Sequence, residues 1–156
     1  MPSLRRAVSG DVPDLASLAK AAYGPYVERI GREPAPMTAD YAALVNDAEV
    51  WVADDTSAVV GLLVLVAADD HLALENVAVL PEAQGHGIGC LLLAHAERRA
   101  GALGLAEVRL YTNEKMTENL AFYPRRGYVE TRRAEQAGFR RVFFAKRVAQ
   151  DPAIDT

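Results

Sequence analysis

The hydrophobic pattern of this chain changes period several times, and each change marks an element. Leu4 to Val8 reads as a short edge strand. Val12, Leu15, Leu18, Ala19 and Ala22 then recur at helical spacing, with Ser9 or Asp11 as the expected cap and Pro13 in the first turn. Gly24-Pro25 breaks this helix, and Tyr26 to Pro36 is irregular. Thr38 is the expected cap of a short helix through Tyr41, Leu44 and Val45. Three extended stretches follow, Glu49 to Asp54, Ala58 to Ala67 and His71 to Leu80, with turns at Asp55-Thr56-Ser57 and Asp69-Asp70. Ile88, Leu92, Ala96, Ala100 and Leu103 predict a long helix that Gly104 closes. Glu107 to Thr112 is another strand. Thr117 is the expected cap of a helix to about Arg125, with Pro124 distorting its last turn and Gly127 ending it. Tyr128 to Arg133 and Phe139 to Arg147 form a final hairpin around Glu135-Gln136-Ala137-Gly138.

This order predicts an α/β (α+β) domain over residues 1–150, a mixed sheet flanked by helices, with a loose tail over 151–156. The chain of 156 residues is long enough for a substantial core. Its 51% hydrophobic and 24% charged residues are ordinary for a globular protein. The formal net charge of −4, without a basic arm, argues against a nucleic-acid partner. The longest apolar run, Ala58 to Ala68, is too short to span a bilayer and contains a glycine. Met1 to Arg6 lacks the apolar block that a signal peptide places next. A single cysteine cannot form an internal disulfide, and the expected location is cytoplasmic. The three histidines and Cys90 show no metal-ligand spacing, so no metal is expected.

The chemistry concentrates where the strand ending at Leu80 meets the long helix. Pro81 stops the strand, and Gly85, Gly87 and Gly89 follow at every second position. A glycine-lined turn at a helix N-terminus offers unpaired N–H groups and the positive end of the dipole, a receptor for phosphate oxygens. The bland alternative is a connection whose glycines serve only tight packing. A P-loop would need Lys-Ser/Thr after the last glycine, where Cys90-Leu91 stands. A dinucleotide fingerprint would need glycine at position 90 and an acid some twenty positions on, and Glu107 begins a strand instead.

The remaining design matches. Gln84-Gly85-His86-Gly87-Ile88-Gly89 has the form Gln/Arg-x-x-Gly-x-Gly, and Asn119-Leu120-Ala121-Phe122-Tyr123 with Gly127-Tyr128 reads Asn-x-Ala-x-Tyr then Gly-Tyr, a more closely spaced version of Asn-x-x-Ala-x-x-Tyr then Gly-Phe/Tyr. Together they resemble the signatures of the GNAT superfamily of acyl-CoA-dependent N-acetyltransferases, over a stretch from about Trp51 to Arg147. The resemblance implies a mostly antiparallel sheet of about seven strands with about four helices, splayed between the fourth and fifth strands. It implies acetyl-CoA as co-substrate, a primary amine as acceptor and direct transfer in a ternary complex. A catalytically inactive CoA-binding sensor is the rival reading. Dimers are common in the superfamily, so a homodimer is compatible.

Acetyl transfer needs a proton taken from the amine and a donor for the leaving thiolate. Alternation puts His71, Ala73, Glu75, Val77 and Val79 on one strand face. A carboxylate within an apolar strand needs solvent or a partner and is a base candidate. Glu75 is the expected base and His71 the second choice; the plain reading of Glu75 is an ion pair with an arginine. Tyr123 stands where the resemblance places a general acid, and a phenol's usual pKa is close to that of a thiol; its plain reading is aromatic packing under the hairpin. Asn119, one helical turn earlier, resembles the asparagine that bonds the pantetheine arm. By the same resemblance Val77, Ala78 and Val79 bind that arm through their backbone, and Gln84, Gly85, His86, Gly87, Ile88, Gly89 and Cys90 surround the pyrophosphate. His86 either contacts a phosphate or is simply exposed. Cys90, in the first helical turn, suits packing better than nucleophilic attack. Tyr26, His71, Tyr111 and Asn113, with Tyr23, Glu28, Met37 and Tyr41, are candidates for the acceptor side, core packing being the alternative for each aromatic.

Overall fold

The computed structural model describes residues 2–56 and 58–150; Ser57 of the predicted turn and the predicted tail from Asp151 lie outside the described residues. The elements in order are β1 (Ser3–Arg6), α1 (Val12–Tyr23), α2 (Val27–Ile30), α3 (Tyr41–Asp47), β2 (Glu49–Asp54), β3 (Val59–Ala67), β4 (Leu72–Val79), α4 (Ile88–Ala102), β5 (Glu107–Asn113), α5 (Thr117–Phe122), β6 (Val129–Gln136) and β7 (Phe139–Arg147). The seven strands lie in the order β1-β2-β3-β4-β5-β7-β6. β4 and β5 run parallel, with Leu72 to Leu74 against Val108 to Leu110. The β1–β2, β2–β3, β5–β7 and β6–β7 pairs are antiparallel. Four of the helices exceed a single turn, as expected; α2 is a four-residue turn in the segment whose pattern predicted none.

The chain divides into two compact units, one of residues up to 66 with 75–93, the other of 67–74 with the rest. In the first unit α1 buries Leu15, Leu18 and Ala19, and α3 buries Tyr41, against Val50, Val52, Leu62, Val64 and Ala78 of β2, β3 and β4. Each such leucine or valine contributes about 1.5–3 kcal/mol by leaving water. On the opposite face of β3, Gly61 makes room for a helix. A Cβ there would stand 3.1 Å from Leu92 Cδ1 and 3.2 Å from Ile88 Cγ2. Its absence lets the first turns of α4 lie directly on the sheet.

Two expected caps are used otherwise. The Asp11 carboxylate takes a bidentate bond from Arg5 (2.9 and 3.0 Å) and one from the Val8 N–H (2.8 Å), while Arg5 Nε donates to Asp54 at 2.9 Å. Arg5 therefore ties β1 to β2, and Asp11 ties Arg5 to the turn before α1 rather than capping the helix. For α3 the cap is Asp40, whose Oδ1 accepts from the Ala43 N–H at 3.1 Å, and not Thr38. β1 also ends at Arg6, two residues before the predicted limit.

In the second unit Val108, Leu110 and Thr112 of β5 and Val142 and Phe144 of β7 are buried on one face with Ala96 and Ala100 of α4 and Tyr128. Tyr128 donates to Glu97 at 3.1 Å and Lys146 to the same carboxylate at 2.9 Å, joining α4 to β7. α5 stops at Phe122, and a 3-10 turn over Pro124–Arg126 replaces the predicted last helical residues. Proline lacks the N–H that would continue an α-helix. Thr117 follows the cap position, which Met116 occupies. The hairpin turn is tighter than expected, since β6 reaches Gln136. Ala137 and Gly138, at φ 52° and 81°, form a two-residue left-handed turn whose twist suits a hairpin.

Candidate active site

β4 ends in the structural feature that defines the first unit. The Leu80 N–H bonds the Val60 carbonyl at 2.9 Å, and Pro81–Ala83 make a 3-10 turn. Gln84 folds back so that its Nε2 donates to the Val79 carbonyl at 3.1 Å. Gly85 and Gly87 both take φ 83°, a left-handed conformation that a side chain resists. A Cβ on either would meet no atom within 4 Å. Backbone conformation and open space on the outer side, rather than protein packing, thus select glycine here. The first α-helical N–H bond comes from Leu91 to the Gly87 carbonyl, 3.0 Å. Among the described residues, the N–H groups of Gly85, His86, Gly87, Ile88 and Gly89 have no acceptor. Ile88 is buried while Gly85, His86 and Gly87 are exposed, so the helix start is anchored and the turn before it lies at the surface. These features suit a diphosphate: donors without acceptors, a positive helix end and open space beside Gly85 and Gly87.

The ladder bond of Leu80 sets which way its neighbours point. Antiparallel alternation turns the N–H and C=O groups of Val77 and Val79 toward the edge away from β3. The Val79 carbonyl accepts from Gln84, and Tyr23 Oη lies 3.1 Å from the Val77 carbonyl. Asn76 points the other way, 7% exposed, into a polar chain. Tyr23 donates to its Oδ1 at 2.7 Å, its Nδ2 donates to Tyr41 Oη at 3.1 Å, and Tyr41 donates to the Pro36 carbonyl at 2.6 Å. Burial pushes the Tyr41 phenol up to about 12, so it stays a neutral donor. Sequence reasoning missed Asn76, whose signal was its place as a polar residue on the buried side of β4, between Leu74 and Ala78.

Glu75 is exposed, and among the described residues its carboxylate has no hydrogen-bond or ion-pair partner. No arginine neutralises it. His71 lies one residue before β4 rather than within it, and its Nδ1 sits 2.7 Å from Asp70 Oδ1. That aspartate, beside His71 and then Arg109, is held below the usual carboxylate range.

In the second unit Tyr123 follows α5 and its N–H bonds the Asn119 carbonyl at 3.1 Å. Its ring packs against Phe122, Tyr128 and Phe144 at centroid distances of 5.3, 5.8 and 5.7 Å. Only 6% of the residue is exposed, and burial raises its pKa far above that of a free phenol. The expected match with a thiol does not survive this burial. Burial therefore favours the neutral, protonated form of Tyr123. Asn119 donates from Nδ2 to Thr112 Oγ1 at 3.0 Å, and its Oδ1 has no partner among the described residues. Thr112, buried on β5, is a residue that sequence reasoning missed.

The family model described as an acetyltransferase (GNAT) domain matches residues 46–130, more than half of the chain. The chain belongs to the GNAT acetyltransferase family. Solved structures agree on the fold. The PaiA N-acetyltransferase of Thermoplasma acidophilum, in complex with coenzyme A, superposes with a TM-score of 0.80 at 19% identity, covering 94% of this chain and 99% of that one. A ribosomal-protein-alanine N-acetyltransferase from Brucella melitensis gives 0.73 at 21% identity, covering 94% and 99%. A GNAT acetyltransferase from Elizabethkingia anophelis with acetyl-CoA bound gives 0.68 at 18%, covering 94% and 97%. Among curated protein sequences none matches.

Other candidates of this GNAT domain have contacts within their own elements. Arg29 stacks over Tyr26 at 4.9 Å. Tyr111 lies between Phe143 (5.8 Å) and the Arg141 guanidinium (4.1 Å). Asn113 Oδ1 accepts from the Lys115 N–H at 2.8 Å, shaping the turn after β5. Cys90 is exposed in the first turn of α4. No helix among the described residues is long and apolar enough to cross a membrane.

Proposed function

We propose that this GNAT domain transfers an acetyl group from acetyl-CoA directly to a primary amine of a small molecule, amino acid or peptide. The observation that carries the reading is the run of N–H groups from Gly85 to Gly89 that have no acceptor among the described residues. These donors, with Gln84, His86 and Cys90 beside them, hold the pyrophosphate. Val77 and Val79 offer backbone groups to the pantetheine arm, and Asn119 its Oδ1; Ala78, expected beside them, turns its own backbone groups toward β3 by the same alternation. The thioester supplies an activated carbonyl, so the residues act chiefly by alignment. Glu75, exposed and unpaired among the described residues, takes the amine proton, through water where the distance requires it. Tyr123 keeps its proton and donates to the sulfur as negative charge develops there.

Thermal unfolding with acetyl-CoA, NAD or ATP tests the first half, since a ligand that binds only the folded state raises the midpoint. Acetyl-CoA alone is expected to do so. Thiol release in the presence of an amine panel tests the second. No shift with acetyl-CoA overturns the reading; a shift without thiol release from any amine leaves a CoA-binding module.

A further inference from the structure

Tyr23 and Gln84 do at the end of β4 what a neighbouring strand does elsewhere. Among the described residues β4 pairs with β5 only over Leu72 to Leu74, so the backbone groups of Val77 and Val79 face an edge with no strand beside it. A carbonyl in that position still needs a donor. Val79 receives one from Gln84 Nε2 at 3.1 Å, and Val77 receives one from the Tyr23 hydroxyl at 3.1 Å. The direction of the second bond follows from the chain it belongs to. The Pro36 carbonyl can only accept, so the Tyr41 proton goes there and Tyr41 Oη takes the Asn76 Nδ2–H. Asn76 Oδ1 is thereby turned to Tyr23, whose hydroxyl must donate. Its one proton is shared between the Asn76 side chain at 2.7 Å and the Val77 main chain at 3.1 Å. The hydroxyl thus closes a ring across two successive residues of β4 and holds the torsion angles between them. Tyr41 belongs to the same chain and, among the described residues, bonds no backbone group of β4.

We infer that Tyr23 is a positioning residue for the arm of the acyl carrier, and does not belong to the acceptor side for which its place in the sequence made it a candidate. The inference rests on the transfer reading and assigns the part of the site that Tyr23 serves. The hydroxyl does not touch the reacting atoms. It presets the Val77 peptide, so that the arm meets an edge already in its bound conformation and less is lost in ordering it. Gln84 does the same at Val79, two residues further along this edge.

The test compares Tyr23→Phe with Tyr41→Phe. Each keeps its ring and takes one hydroxyl from the Asn76 chain, so both should lower Tm, and by similar amounts. Only Tyr23→Phe removes the donor to Val77. Its dissociation constant for acetyl-CoA, by titration calorimetry, should rise about threefold to tenfold, the scale of one hydrogen bond, while that of Tyr41→Phe holds. The nucleotide half of coenzyme A, which has the diphosphate without the arm, should bind wild type and both variants alike. With an amine that turns over, Tyr23→Phe should raise the KM for acetyl-CoA and leave the KM for the amine. A readout on the unmodified protein follows ring-labelled tyrosines by NMR. The Tyr23 signal should move with acetyl-CoA and stay with the nucleotide half. An unchanged or tighter acetyl-CoA complex in Tyr23→Phe, an equal loss in Tyr41→Phe, a Tyr23 signal that ignores acetyl-CoA, or a change confined to the KM for the amine overturns the inference and leaves the transfer reading intact. Affinities in the expected order with no amine acetylated support the inference and sink the transfer reading alone. Failure of the wild type to bind acetyl-CoA overturns both.

Discussion

Replacing Gly87 with alanine separates what the phosphate turn does for the fold from what it does for the ligand. Gly87 has φ 83°, and a Cβ built on it meets nothing within 4 Å. The protein therefore offers no clash, only the conformational cost of about 1–2 kcal/mol for a left-handed residue with a side chain. A stiffer unfolded chain offsets about 0.4–1 kcal/mol of that. The net of about 1 kcal/mol lowers Tm by about 2–4 °C in a chain of this length. Gly104, just beyond the other end of α4, supplies the control, with φ 73° and equally empty surroundings. Gly104→Ala should cost the fold the same. Only at Gly87 does the new methyl occupy the space a diphosphate would take. Displacing one charge-assisted hydrogen bond there weakens acetyl-CoA by about tenfold or more. Thermal unfolding of both variants, with and without acetyl-CoA, and the KM for acetyl-CoA read the two effects separately. Equal ligand-induced shifts in the two variants would refute the phosphate-turn reading. A much larger loss of stability in ligand-free Gly87→Ala would show that packing, not conformation, selected the glycine.

Three further substitutions probe the chemistry and the frame. Tyr123→Phe keeps the ring packing and removes a hydroxyl without a hydrogen-bond partner among the described residues, so Tm should hold while kcat falls by about 10²-fold. Since burial already raises the pKa of Tyr123, the basic limb of the wild-type pH profile should persist in this variant. Glu75→Gln should lower kcat/KM for the amine by about 10²-fold without changing the KM for acetyl-CoA; unaltered turnover removes Glu75 as the base. Asp11 has its pKa lowered by Arg5, so the stability it adds is complete above the ordinary carboxylate value of 3.8 and is lost as pH falls through the lower folded-state value. Asp11→Asn should be less stable at pH 7 and show a flatter Tm profile below about pH 4; identical profiles would mean the Arg5 bridge adds nothing.

The order of strands and helices was legible because alternation and helical spacing are local signals, and the glycine turn because its backbone demands are local too. Caps were less so. Thr38 and Asp40 are both good capping residues, and only the chain's path decides that Asp40 bonds the Ala43 N–H. Asp11 was lost as a cap to Arg5, a partner brought close by the pairing of β1 with β2. The single turn of α2 has no apolar period to reveal it. Tyr123 shows the limit most clearly. Its place in the signature was readable, but its acidity depends on Tyr128 and Phe144, which close over it only once β7 is in position.

The hydroxyl-amide-hydroxyl chain through Asn76 has a consequence for anyone wishing to redirect this protein. The phenols of Tyr23 and Tyr41, at the two ends of this segment, both meet β4 at Asn76, whose donor and acceptor are already engaged, and Tyr23 also reaches the Val77 carbonyl. Exchanging that segment for a foreign one would strand the asparagine's amide in a dry interior, and the strand bearing Glu75 would register the damage before any new substrate was tried. A successful graft must therefore bring its own pair of phenols, or retire Asn76 in the same step.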